Sequence, residues 1–139
     1  MGIRQLLFSE MSQEIIMINN TIFQLVYDQL VVFAPDEWTK MVVYLEYGNA
    51  SYSFTVHYKV KNRYINCFDV DGANENEIYK AFKKIDKAVS KDRKKEKEPW
   101  SNMTITIESN GKMNADFDYT DLSKGSYQYK KAWKQKYLK

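Results

Sequence analysis

A chain of 139 residues, 44% of them apolar, can bury a core without disulfide or metal staples, and one domain spanning residues 1–139 is the expectation. Its single cysteine, Cys67, excludes an internal disulfide, and one histidine, His57, leaves no Cys/His set for structural zinc, so a reducing, cytoplasmic setting is expected with no metal or cofactor. The formal charge of +3 is unevenly spread: Asp116, Asp118 and Asp121 lie close together, whereas every charged residue after Leu122 is lysine.

Near the N-terminus, Leu6-Leu7-Phe8 and Ile15-Ile16-Met17-Ile18 are too short for a signal core or a membrane span. Ile3, Leu7, Met11, Ile15, Ile18, Ile22, Val26, Leu30 and Phe33 recur at steps of three and four, which predicts amphipathic helix from Ile3 to Phe33. Asn19-Asn20-Thr21 offers an internal N-cap. The stretch therefore reads as one helix or two, with a break or bend favoured there, residues 1–20 a helical extension and Thr21 to Phe33 the part that packs on a sheet. Pro35 ends the helix, because its ring disfavours helical geometry at Ala34 and it has no N–H to give; Trp38 then anchors the connector at the edge of the core.

Alternation of apolar and polar residues predicts strands at Met41 to Tyr47, Tyr52 to Val60 and Arg63 to Phe68. After the polar connection from Asp69, the stripe Ile78, Phe82, Ile85 and Val89 predicts a helix. Its charged continuation, Lys91 to Glu98, would project into solvent until Pro99 stops it. Met103 to Glu108 and Lys112 to Tyr119 form a hairpin about Asn110-Gly111, which suits a type I′ turn. Tyr129, Trp133 and Tyr137 fall at steps of four on a C-terminal helix whose other positions are mostly lysine. The fold class is α+β: an antiparallel sheet of about five strands, a meander plus a hairpin, covered on one face by amphipathic helices.

Few of these residues suggest chemistry. His57 has no partner for a nucleophilic triad and reads as structural. Asp69-x-Asp71-Gly72 opens like a calcium loop, but its glycine is misplaced and Lys80 stands where the twelfth-position glutamate belongs. Asp116 and Asp118 share a strand face and could serve as an acid–base pair in a small enzyme, but a solvated polar face or an acidic patch for a basic protein partner needs less. Lys130, Lys131, Lys134, Lys136 and Lys139 have the composition of a nucleic-acid or anionic-membrane surface, whereas the aromatic spacing favours a buried stripe with solvated lysines.

PDEW at Pro35 to Trp38, EPWSN at Glu98 to Asn102, the turn Asn110-Gly111-Lys112, FDYTDL at Phe117 to Leu122, and terminal Trp133 with Tyr137-Leu138 occur in an order and spacing that resembles the YezG-like, EsaG-related antitoxin family over about Thr21 to Leu138. The resemblance implies a non-enzymatic, cytoplasmic immunity protein of a bacterial polymorphic toxin system. Such a protein binds and neutralises the C-terminal toxic domain, a nuclease in the best known cases, of a cognate secreted LXG-type toxin. The alternative is a small basic nucleic-acid-binding module. The segment Met1 to Asn20 extends beyond the usual family start, and the basic balance departs from the acidic character expected of a nuclease's partner.

The expected partner surface follows from the hairpin. Thr104, Thr106, Asn114, Asp116 and Asp118 are the off-core residues of neighbouring strands and would form an open patch, extended by Tyr119 and Asp121; Tyr44 and His57 would supply its less charged centre if their strands lie alongside, an order that the sequence does not give. An open patch of this kind would steer a basic partner while contributing little to stability.

Overall fold

In the central strand every residue from Met41 to Leu45 is buried, so both faces of the sheet are covered there. The structure is a computed structural model that describes the backbone of residues 3–7 and 13–139 and the side chains from Thr21 onward. One antiparallel sheet contains β1 (Ile3–Leu7), β2 (Lys40–Tyr47), β3 (Tyr52–Val60), β4 (Arg63–Asn66), β5 (Asn102–Glu108) and β6 (Met113–Asp118), in the spatial order β1-β6-β5-β2-β3-β4. Three helices, α1 (Gln13–Val31), α2 (Glu75–Arg93) and α3 (Tyr127–Tyr137), complete an α+β fold that holds the five expected strands and one more.

The front face carries the main core. Met41, Val43, Leu45, Val56, Tyr58, Ile105, Ile107 and Ala115 meet Phe23, Val26 and Leu30 of α1 and Ile78, Phe82, Ile85 and Val89 of α2. Trp38 packs against this core with its ring 6.5 Å from that of Tyr27, the edge position expected for it. The back face is not left open. Val42 and Tyr44 form a second cluster with Trp133, and Tyr64, Tyr129, Tyr137 and Leu138 pack around it, so α3 covers the side expected to face water. The expectation of one-sided cover fails because a helix whose aromatic residues carry polar tips can sit on a polar face, as a purely aliphatic stripe cannot.

Other expectations are corrected at the ends of elements. Ile3–Leu7 is a strand paired with β6, not helix; five residues with apolar ends fit either period, and the exposed edge of β6 offers a ladder. Residues 8–12, with Met11 of the apolar stripe, lie outside the described residues. The break expected at Asn19-Asn20-Thr21 is absent, because α1 runs unbroken through it; packing of Phe23, Val26 and Leu30 outweighs a local capping preference. The third strand stops at Asn66, whose Oδ1 accepts the Phe68 N–H and starts a 3-10 turn at Cys67–Asp69. Helix α2 ends at Arg93, before the remaining charged run to Glu98.

The β5–β6 connection also differs from the expected two-residue turn. Glu108 N–H donates to Lys112 O and Gly111 N–H to Glu108 O, with Gly111 at φ 93°, so the loop has three residues and only its glycine is left-handed. The consequence is the register. Ile107 pairs with Met113, and Thr104 and Thr106 lie opposite Asp116 and Asn114, whereas a two-residue turn would set Ile107 against Asn114.

One buried hydrogen bond fastens α1 to the sheet: the Tyr58 hydroxyl donates to Leu30 O in the last turn of the helix. Tyr58→Phe removes that donor without opening a cavity, and is expected to lower unfolding free energy by about 1–2 kcal/mol in a denaturant titration. An unchanged midpoint would show that the bond contributes nothing net.

Candidate functional site

Helix α3 presents Tyr129, Trp133 and Tyr137 at steps of four, so all three lie on one face, and each donates a hydrogen bond into the back of the sheet. The single Tyr129 hydroxyl proton lies between two acceptors, Asn102 Oδ1 at 2.9 Å and the closer Asp118 Oδ2; Trp133 Nε1 donates to Thr104 Oγ1 at 2.8 Å; Tyr137 Oη donates to Asp116 Oδ2. Trp133 also packs against Tyr44, with ring centroids 5.0 Å apart. Lys130 lies over the Tyr44 ring and reaches Glu46, which accepts the Tyr44 hydroxyl. The remaining lysines, Lys131, Lys134, Lys136 and Lys139, are exposed, as the buried-stripe reading expects.

This docking decides where the expected partner residues stand. Thr104, Asp116 and Asp118 are only 3%, 6% and 5% exposed and support α3, so the open patch read from alternation is closed at its centre. Thr106 and Asn114 are cross-strand neighbours and half-buried, as is Tyr119, while Asp121 is exposed and accepts the Ser123 N–H. Tyr44 and His57 do come alongside, but beneath α3: Tyr44 is buried, and the His57 ring is 6.3 Å from that of Trp133. Burial, then the Lys134 charge, holds the His57 pKa below its ordinary value against the opposing pull of Asp69. Burial raises the Asp118 carboxyl pKa, but hydrogen bonds from Thr120 and Tyr129 outweigh it and hold the group below the usual range. Among the described residues no three His, Cys, Asp or Glu side chains gather closely enough to hold a metal, and no helix is long and apolar enough to cross a membrane.

Where α3 begins, the sheet ends in an open cleft of about 490 Å³. Tyr47 and Tyr52 from the β2–β3 hairpin, Arg93 from the end of α2, and Tyr119 and Asp121 from the β6–α3 connection line it. Arg93 is the residue that sequence reasoning missed, because it stands in a run of lysines read as a solvated tail. Its guanidinium lies 5.1 Å from the Tyr47 ring centroid and 5.3 Å from that of Trp100, and its Nε donates to Trp100 O at 2.6 Å. The available signal was one arginine among lysines just before Pro99-Trp100, since arginine stacks and forks where lysine does not.

Comparison with known proteins adds an independent line. A family described as "Immunity protein YezG-like" matches residues 19–139. The Immunity protein YezG of Bacillus subtilis (strain 168) is 24% identical, with the match covering 73% of this chain and 73% of that protein.

Two outcomes follow from the docked helix. Trp133→Phe leaves Thr104 without its donor and should cost about 1 kcal/mol, whereas Trp133→Ala removes the ring from its cluster and should cost about 3–5 kcal/mol, both read by denaturant unfolding. Equal losses would mean that the indole N–H carries the whole effect. Acid should also loosen α3. The depressed Asp118 pKa contributes stability that is complete above the unfolded value near pH 4 and is lost as pH falls through the folded value. Asp118→Asn should remove this part of the acid dependence of thermal unfolding.

Proposed function

The chain belongs to the YezG-like immunity protein family, and on that premise we propose that it neutralises a cognate secreted LXG-type polymorphic toxin by stoichiometric binding to the toxin's C-terminal nuclease domain in the cytoplasm. Family membership over residues 19–139 carries this reading. The arrangement of the acids supports it: Asp116 and Asp118 bind the hydroxyls of α3 and so serve as docking groups rather than as an open acid–base pair. The aromatic stripe of α3 is likewise turned inward, which removes the stacking surface that a nucleic-acid module would use.

The partner surface follows from what α3 leaves uncovered. Tyr119 and Asp121 lie at the end cleft and remain in the proposed contact surface, as do Thr106 and Asn114 on the half-buried flank of the sheet. Thr104, Asp116 and Asp118 shape that surface from below by holding the helix in place. Asp121 offers a carboxylate to the cationic substrate-binding surface expected of a nuclease.

Co-expression with the toxin encoded beside its gene tests the reading. Growth should be rescued, and the protein should copurify with the toxic domain at fixed stoichiometry. No rescue and no complex, together with tight, salt-sensitive binding of DNA or RNA by the free protein, would replace it with the nucleic-acid reading. Asp121→Lys should slow association with the toxic domain at low salt while leaving the melting temperature within about 1–2 °C, since an exposed charge contributes little to stability.

A further inference from the structure

We propose that Arg93 is a preorganised anchor in the end cleft, and that it receives a carboxylate side chain from the surface of the protein partner; this rests on the immunity reading. The guanidinium is half-buried between Tyr47 and Trp100, and its Nε is held by Trp100 O. These contacts fix the plane of the fork. Its two terminal nitrogens make no hydrogen bond, and no carboxylate forms an ion pair with it, among the described residues. Burial lowers the guanidinium pKa, and the nearby Tyr47 and Glu96 offset this only in part, so the cation is partly desolvated with no carboxylate in ion-pair contact among the described residues.

The wall around it is held as well. Tyr47 donates its hydroxyl to Asp86 of α2, and Tyr52 packs against both Tyr47 and Phe54. On the opposite wall Ser101 N–H and Oγ both bind Asp118 O, which ties the β6 end to the start of β5. The cleft therefore combines an oriented arginine with rigid aromatic side chains, the residue types that carry most of the binding energy at protein interfaces. A carboxylate fits the free side of the fork in charge and in geometry, because two parallel N–H groups match its two oxygens. The occupant proposed is an aspartate or glutamate on the toxic domain. It would sit beside a cation of the same surface that faces Asp121 across the cleft.

Calorimetric titration of the full chain with the purified toxic domain of the adjacent toxin tests the proposal. Arg93→Met keeps most of the side chain's packing and should weaken binding at least tenfold. Arg93→Lys should lose nearly as much, because one ammonium cannot replace the fork. Ser123→Trp narrows the cleft with Arg93 intact and should weaken binding similarly. Alanine substitution of exposed acids on the toxic domain should then find one carboxylate whose loss weakens binding by the wild-type chain but not by Arg93→Met. Binding within twofold of wild type by folded Arg93→Met would overturn the proposal. If that variant fails to fold, unchanged binding by both Arg93→Lys and Ser123→Trp overturns it. A wild-type chain that does not bind the toxic domain overturns the immunity reading and this proposal together, whereas wild-type binding with indifferent variants overturns only the role of Arg93.

Discussion

Two carboxylates stand under α3, and the back of the sheet depends on how they are satisfied. A buried carboxylate without partners is expensive enough to unfold a domain of this size or to change its own protonation. Here Tyr137 and Tyr129 supply hydroxyl donors to Asp116 and Asp118, and the indole N–H of Trp133 satisfies Thr104 between them. Each aromatic residue thus contributes an apolar body to the helix–sheet contact and a polar tip to the sheet. Stripe and strand face match at each step of four, except that Asp116 Oδ1 is buried with no hydrogen-bond partner among the described residues. Loss of one member leaves both an unfilled space and an unpaired polar group, which is why the contact behaves as a unit.

This constraint moves the proposed recognition surface. An alternating strand face is normally free to meet a partner, but this one is already occupied by a helix from the same chain. Besides the flank at Thr106 and Asn114, the end of the sheet remains available, where the β2–β3 hairpin, the end of α2 and the connection into α3 converge on one cleft. Three of the short pieces on which the family resemblance rests meet here, whereas Pro35 to Trp38 and the turn at Asn110-Gly111-Lys112 lie at the other end of the sheet, where Ser109 N–H donates to Thr39 O. Trp100 holds Arg93, Asn102 and Asp118 receive Tyr129, and Trp133 and Tyr137 complete the helix contact. Pieces far apart in the chain are therefore parts of one interlocking arrangement. That explains why their order and spacing carried more than any one of them.

Local patterning made most of the framework legible. Period-two alternation located five strands, and the stripe Ile78, Phe82, Ile85 and Val89 located α2 with the correct buried face. The inferences that failed needed information that period does not contain. Apolar positions in Ile3–Leu7 suit helix or strand, and only the free edge of β6 decides between them. The turn at Asn110-Gly111 gains one residue because the register must bring polar faces of β5 and β6 together. The site was less legible still. Alternation correctly put Thr104, Asp116 and Asp118 off the main core, yet no local signal shows that a distant aromatic stripe will cap them. Arg93 was hidden for the opposite reason, since a charge run predicts solvation and only the fold brings Tyr47 and Trp100 to either side of it.

The central claim is that α3 seals the back face and leaves the end cleft for the toxin. Hydrogen–deuterium exchange of the free chain and of its complex with the toxic domain addresses it directly. The account predicts that β5 and β6 under α3 are already protected in the free chain, and that binding adds protection at residues 47–53, 93–101 and 119–123. New protection across 102–105 and 115–118, accompanied by faster exchange in 127–137, would contradict it by showing that the toxin displaces the helix and binds the face beneath.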